Sequence, residues 1–91
     1  MLSFDEAIVL KTVAHNEGKE RSFYKEVLTE EEFLRPELTG YLIDGLLTYR
    51  DIYYTTNKTL KLTDKGRDSL MEAVVYYRNK AEFLLKDTGM A

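Results

Sequence analysis

The chain has 91 residues, 44% hydrophobic and 32% charged, with no cysteine and a formal net charge of −3 at pH 7. That length supports one domain with one modest core, and the composition fits a folded globular protein and excludes a disordered one. The missing cysteines exclude disulfides and thiolate metal sites, and the net charge argues against a strongly basic glove for nucleic acid.

The opening residues, Met1-Leu2-Ser3-Phe4-Asp5-Glu6, carry neither the basic segment nor the apolar run of a signal peptide. No stretch approaches the roughly 20 apolar residues that span a bilayer, so a cytoplasmic location is expected and no membrane partner. Ser3 and Glu6 have the spacing of a capping box. Phe4, Ala7, Ile8, Leu10, Lys11, Val13 and Ala14 continue it as a broad apolar stripe at helical spacing. Asn16-Glu17-Gly18 ends this first helix, with Gly18 free to take the left-handed conformation. Lys19-Glu20-Arg21 reads as an exposed connector with room for a short strand.

Ser22 is the expected cap of a short second helix carrying Phe23, Tyr24, Val27 and Leu28. Thr29 and Glu32 form a second capping-box spacing ahead of Phe33-Leu34. Pro36 suits the first position of a third helix, where its missing amide hydrogen would be unpaired anyway. That helix is expected to turn Leu38, Tyr41, Leu42, Gly45 and Leu46 inward. Gly45 is either its stop or an internal residue; the longer helix, to about Tyr49, leaves a symmetrical hairpin behind it. In that hairpin Asn57-Lys58 reads as a two-residue turn. Thr56 then faces Thr59 and Tyr54 faces Lys61, which puts Tyr53, Thr55, Leu60 and Leu62 on one face. Thr63 caps a last helix of about 20 residues, to around Lys86. Its apolar positions Leu70, Val74, Tyr77, Ala81 and Leu84 are spaced like a heptad seam, and Met71, Val75, Tyr76 and Phe83 widen the stripe.

The stretch Leu60-Lys61-Leu62-Thr63-Asp64-Lys65-Gly66-Arg67-Asp68-Ser69-Leu70 runs an alternating strand straight into a capped helix, after the strand Ile52-Tyr53-Tyr54-Thr55-Thr56. A helical half, a hairpin and this strand-Leu-Thr-Asp-Lys-Gly-helix junction together resemble winged helix-turn-helix regulators of the MarR and PadR kind. The resemblance covers about residues 4–86 and reaches the superfamily. It implies an α+β winged helix in a single domain: a helical part over 3–49, a wing hairpin over 50–63, a C-terminal helix over 64–86 used for dimerisation, and a tail over 87–91. The function it implies is that of a small dimeric DNA-binding protein regulating transcription. Double-stranded DNA would meet Arg35, Thr39 and Tyr41 at the third helix and Arg50, Asn57, Lys58 and Lys61 on the wing. The paired last helices would meet through Leu70, Val74, Tyr76, Tyr77, Ala81, Phe83 and Leu84.

Charge distribution weighs on both sides of this reading. Residues 1–49 hold five Lys/Arg against ten Asp/Glu, whereas residues 50–91 hold eight against six, so the positive share lies on the hairpin and last helix. Cations at a hairpin tip contact phosphates, and tyrosines add hydrogen bonds and stacking; strand propensity and solubility select the same residues. The third helix departs from the basic pattern of DNA readers, because its outward candidates Arg35, Glu37, Thr39, Gly40 and Asp44 include two carboxylates that phosphates repel, and Glu30-Glu31-Glu32 lies just upstream. Along the last helix, Lys65, Arg67, Arg78, Lys80 and Lys86 interleave with Asp64, Asp68, Glu72 and Glu82, as a solvated face does.

Two rival readings follow. One is an acidic winged-helix module of phage, plasmid or accessory type that binds a protein partner; the other is a purely structural dimer. No catalytic residue, cofactor or metal is expected. His15 is the lone histidine and has no cysteine or second histidine beside it. The serines and threonines have no base arranged by a known motif, and Gly40 and Gly45 form no phosphate-binding loop.

Overall fold

The computed structural model describes residues 2–30 and 35–77. They form an α+β fold of four helices and one three-stranded antiparallel sheet, in the order α1 (Phe4–His15), β1 (Lys19–Glu20), α2 (Arg21–Glu30), α3 (Pro36–Thr48), β2 (Ile52–Tyr54), β3 (Thr59–Leu62) and α4 (Asp64–Tyr76).

Helix α1 begins where its capping box places it. The Ser3 hydroxyl accepts from the Glu6 amide at 3.1 Å, and the Ser3 amide donates to the Glu6 carboxylate at 2.8 Å. Every residue from Ala7 to Val13 is buried, which makes α1 the central element rather than a surface helix with one apolar face. Helices α2, α3 and α4 and strand β3 pack around it. Gly18 closes the helix exit at φ +89, a conformation open to glycine without steric cost, and its amide donates to the Leu60 carbonyl at 3.0 Å. That bond starts the pairing of β1 with β3, in which Lys19 faces Leu60 and Glu20 faces Thr59.

Helix α2 starts at Arg21, so Ser22 lies inside its first turn instead of capping it. Thr29 spends its hydroxyl within α2, donating to the Lys25 carbonyl at 2.7 Å; Glu32, its expected capping partner, lies outside the described residues. Tyr24 is fully buried. Its hydroxyl donates to the Asn16 carbonyl and accepts from the Lys19 amide, joining the α1 exit to β1. Burial pushes this phenol above its ordinary range.

Pro36 opens α3, and the helix runs through Gly45 to Thr48. Its exit is a Schellman motif: the Arg50 amide donates to the Leu47 carbonyl and the Asp51 amide to the Leu46 carbonyl. The residue that takes the left-handed conformation there is Arg50, at φ 62, where glycine is usual.

The hairpin register differs from the expected one by a residue. Ile52 faces Leu62, Tyr53 faces Lys61 and Tyr54 faces Leu60. The loop is Thr56-Asn57-Lys58, closed by the Lys58 amide on the Thr55 carbonyl at 2.9 Å and the Thr55 amide on the Thr59 carbonyl at 2.8 Å. The favoured two-residue turns all need positive φ at their first residue, here Asn57; of Asn57 and Lys58 only Lys58, at φ 61, has it. A slip of one residue exchanges the faces of a strand. Ile52, Leu60 and Leu62 therefore enter the core, and Tyr53 and Lys61 point outward.

Helix α4 is capped by Thr63, whose hydroxyl accepts from the Gly66 amide at 2.9 Å. Three expected interface residues are committed to the chain's own core. Leu70 is buried with Ala73, Val74 packs against them, and Tyr77 sets its ring edge-on to Phe4 at 5.3 Å and donates from its hydroxyl to the Leu2 carbonyl. The exposed apolar residues of α4 are Met71, Val75 and Tyr76. The continuation to Lys86, with Ala81, Phe83 and Leu84, lies outside the described residues.

Candidate nucleic-acid interface

Chemistry-bearing side chains gather on the side of the molecule where the start of α2 meets the hairpin. An open cleft of about 620 Å³ lies there, lined by Glu20, Arg21, Ser22, Tyr54 and Lys58. Arg21 arrives because β1 leads without a break into α2. Lys58 arrives because the three-residue loop bends its tip over at a left-handed residue.

Arg21 joins three elements. One guanidinium nitrogen donates to the Asp44 carboxylate at 2.7 Å and another to the Gly40 carbonyl at 3.1 Å, both on α3. The Tyr54 hydroxyl of β2 is its third neighbour. A side chain on Gly40 would begin in ordinary contact with this cluster, 3.6 Å from the guanidinium and 4.0 Å from the Lys25 ammonium. Hydrogen bonding to Arg21 is the main cause that holds the Asp44 carboxyl below the ordinary carboxylate range, and Lys25 adds to it. Asp44 and Tyr54 in turn raise Arg21. The acidity of α3 that opposes DNA in the sequence is thus partly cancelled by α2.

The exposed stripe of α3 is Glu37, Tyr41, Asp44 and Thr48, which corrects two expectations. Thr39 is fully buried, and its hydroxyl donates to the Arg35 carbonyl at 3.1 Å, so it faces the core and no ligand. Tyr41, expected inward, is 76% exposed; Ile43 takes the core position. Arg35 precedes the helix and is exposed.

On the hairpin Arg50, Asn57, Lys58 and Lys61 are all exposed, but they do not converge. Lys58 and Asn57 stand at the loop, Lys61 on the outer sheet face opposite Tyr53, and Arg50 at the hairpin base. At that base lies Asp51, which is 2% exposed and absent from the sequence-derived set. Its carboxylate accepts from Lys65 at 2.9 Å and from the Ser69 hydroxyl at 3.1 Å, pinning α4 to the start of β2. A second, polar cleft of about 380 Å³ opens beside it, lined among others by Glu6, Tyr49 and Glu72.

Arg21 and Lys25 escaped sequence reasoning because Arg21 and its partner Asp44 are 23 residues apart, beyond any local pattern. The one available signal for Arg21 was a cation directly after the short-strand segment. Among the described residues no group of histidines and carboxylates has metal-binding geometry, and no helix is long and apolar enough to cross a membrane. No known protein family, curated protein or solved structure matches this chain.

Proposed function

We propose that the chain is a winged-helix protein that binds double-stranded DNA and regulates transcription as a homodimer. The observation that carries this reading is the convergence of Arg21, at the start of α2, and Lys58, at the hairpin loop, on one cleft beside the exposed stripe of α3. The order of elements, with β3 central in a β1-β3-β2 sheet, supports the winged-helix part.

In this reading phosphates are met by Lys58 and Asn57 at the wing tip, by Lys61 and Arg50 along the hairpin, and by Arg21 and Lys25 on α2. Such contacts fix register and supply most of the salt-dependent affinity. Arg35 and Tyr41 flank the groove-facing side of α3. Dimerisation uses the face of α4 that carries Met71, Val75 and Tyr76, and it sets two units about one helical turn of DNA apart. The test is the double substitution Lys58→Glu with Lys61→Glu, read by duplex affinity and circular dichroism together. Affinity falls while the spectrum stays native; unchanged affinity removes the wing contact.

A second reading is favoured by the same α4 face together with the net charge of −3: a module that binds a basic protein partner and no DNA. Capture on the immobilised chain separates the two. Recovery of nucleic acid without protein counts against the second reading.

A further inference from the structure

We propose that Glu37 selects the DNA sequence this chain reads, and that the base it selects is cytosine. The inference rests on the DNA-binding reading above and deepens it.

The exposed stripe of α3 has few polar groups left unengaged. Thr48 spends its hydroxyl on the Asp44 carbonyl at 2.9 Å. Asp44 is held by Arg21 at 2.7 Å. Thr39 faces the core. Glu37 is exposed, and among the described residues it belongs to none of the ion pairs, which join Arg21 to Asp44, Lys65 to Asp51 and Arg67 to Glu17. It stands in the first turn of α3, directly after Pro36. Tyr41, one turn further on, adds a phenol on the same face.

An ionised carboxylate only accepts hydrogen bonds. In the major groove two groups donate, the N4 amino group of cytosine and the N6 amino group of adenine. Adenine also presents its N7 acceptor beside N6, which repels a carboxylate. Cytosine presents an apolar C5–H there, so the amino group of cytosine is the better match. The N-terminal end of a recognition helix is also the part that reaches base edges. Phosphates on both sides repel Glu37, so it lowers affinity for DNA in general and returns discrimination, which is how specificity is obtained against wrong partners.

This assignment has a two-part signature that a structural role lacks. Glu37→Gln removes the repelled charge while keeping helix propensity, so affinity for random duplex rises. Glutamine pairs with adenine through N6 and N7, so the preferred base moves from cytosine to adenine.

The experiment is selection from a randomised duplex library on the purified wild-type chain and on Glu37→Gln, followed by sequencing. A cytosine favoured about tenfold by the wild type, replaced by adenine at that one position in the variant, is the expected result. Identical enriched sequences from both proteins overturn the assignment to Glu37 and leave DNA binding standing. Failure of both proteins to retain any duplex overturns the DNA-binding reading, and the assignment with it.

Discussion

The Cα of Gly66, in the first turn of α4, lies against the backbone carbonyl of Asp51, at the start of the hairpin. A side chain on Gly66 would overlap that carbonyl oxygen, with the carbonyl carbon 2.8 Å away. The same carbonyl accepts from the Thr63 amide at 3.0 Å, and Thr63 caps the helix on the Gly66 amide. The Leu-Thr-Asp-Lys-Gly junction is therefore one device: threonine starts the helix, and glycine lets its first turn close onto the base of the hairpin.

Gly66→Ala tests this device. In an exposed helix interior the change would stabilise by about 1 kcal/mol. Here the backbone must move, and strain of this kind costs about 1–3 kcal/mol or more. The expected outcome is a net loss of about 1 kcal/mol in urea-unfolding free energy. A more stable Gly66→Ala protein would show that the contact is loose.

Arg50 and Lys58 both occupy left-handed conformations that favour glycine, at φ 62 and φ 61. A side chain there costs about 1–2 kcal/mol, partly offset because glycine gains more freedom on unfolding. Arg50→Gly and Lys58→Gly should each raise stability by about 0.5 kcal/mol, a few degrees in Tm. In the DNA-binding account each also weakens duplex binding by losing a phosphate contact. Calorimetry and duplex titration on the same variants check both halves. Stabilisation with undiminished affinity would mean that these cations serve solubility alone.

The Arg21–Asp44 pair predicts a pH dependence with a defined sign. The folded pKa of Asp44 lies below its unfolded value, near 3.9. Its contribution is therefore fully present above the unfolded pKa and is lost as pH falls through the folded one. Asp44→Asn should flatten the acid limb of the stability curve, and added salt should shrink the difference, because the pair is solvent-exposed. Carboxylate NMR titration should find Asp44 below the ordinary range in the wild type and back within it in Arg21→Ala. An Asp44 midpoint unmoved by Arg21→Ala would dissolve the pair in solution.

What the sequence disclosed, it disclosed through local chemistry. The Ser3–Glu6 box, the Gly18 exit, Pro36 at the start of α3 and the Thr63 cap each depend on residues within a turn of one another, and each is found where the pattern puts it. The hairpin register was not legible, because it turns on the sign of φ at Asn57, which residue type leaves open. The phase of α3 misled at two positions for one reason. Thr39 is small and satisfies its own hydroxyl on the Arg35 carbonyl, so it is buried without loss, whereas the larger Tyr41 keeps its polar tip in water. The dimer seam was read from heptad-like spacing and a surplus of apolar residues on the last helix, and of these Leu70, Val74 and Tyr77 cover α1 and the Leu2–Phe4 end of the core. Arg21 and Asp51 work through partners far along the chain, and only the fold brings those together.

The central claim, that this chain binds duplex DNA through its phosphates, is met most directly by fluorescence anisotropy. A labelled random duplex is titrated with the purified protein at two salt concentrations. The account predicts binding that weakens steeply with salt, with a log–log slope of about −0.9 for each phosphate contacted. Absence of binding even at low salt would contradict it and leave the protein-partner reading in its place.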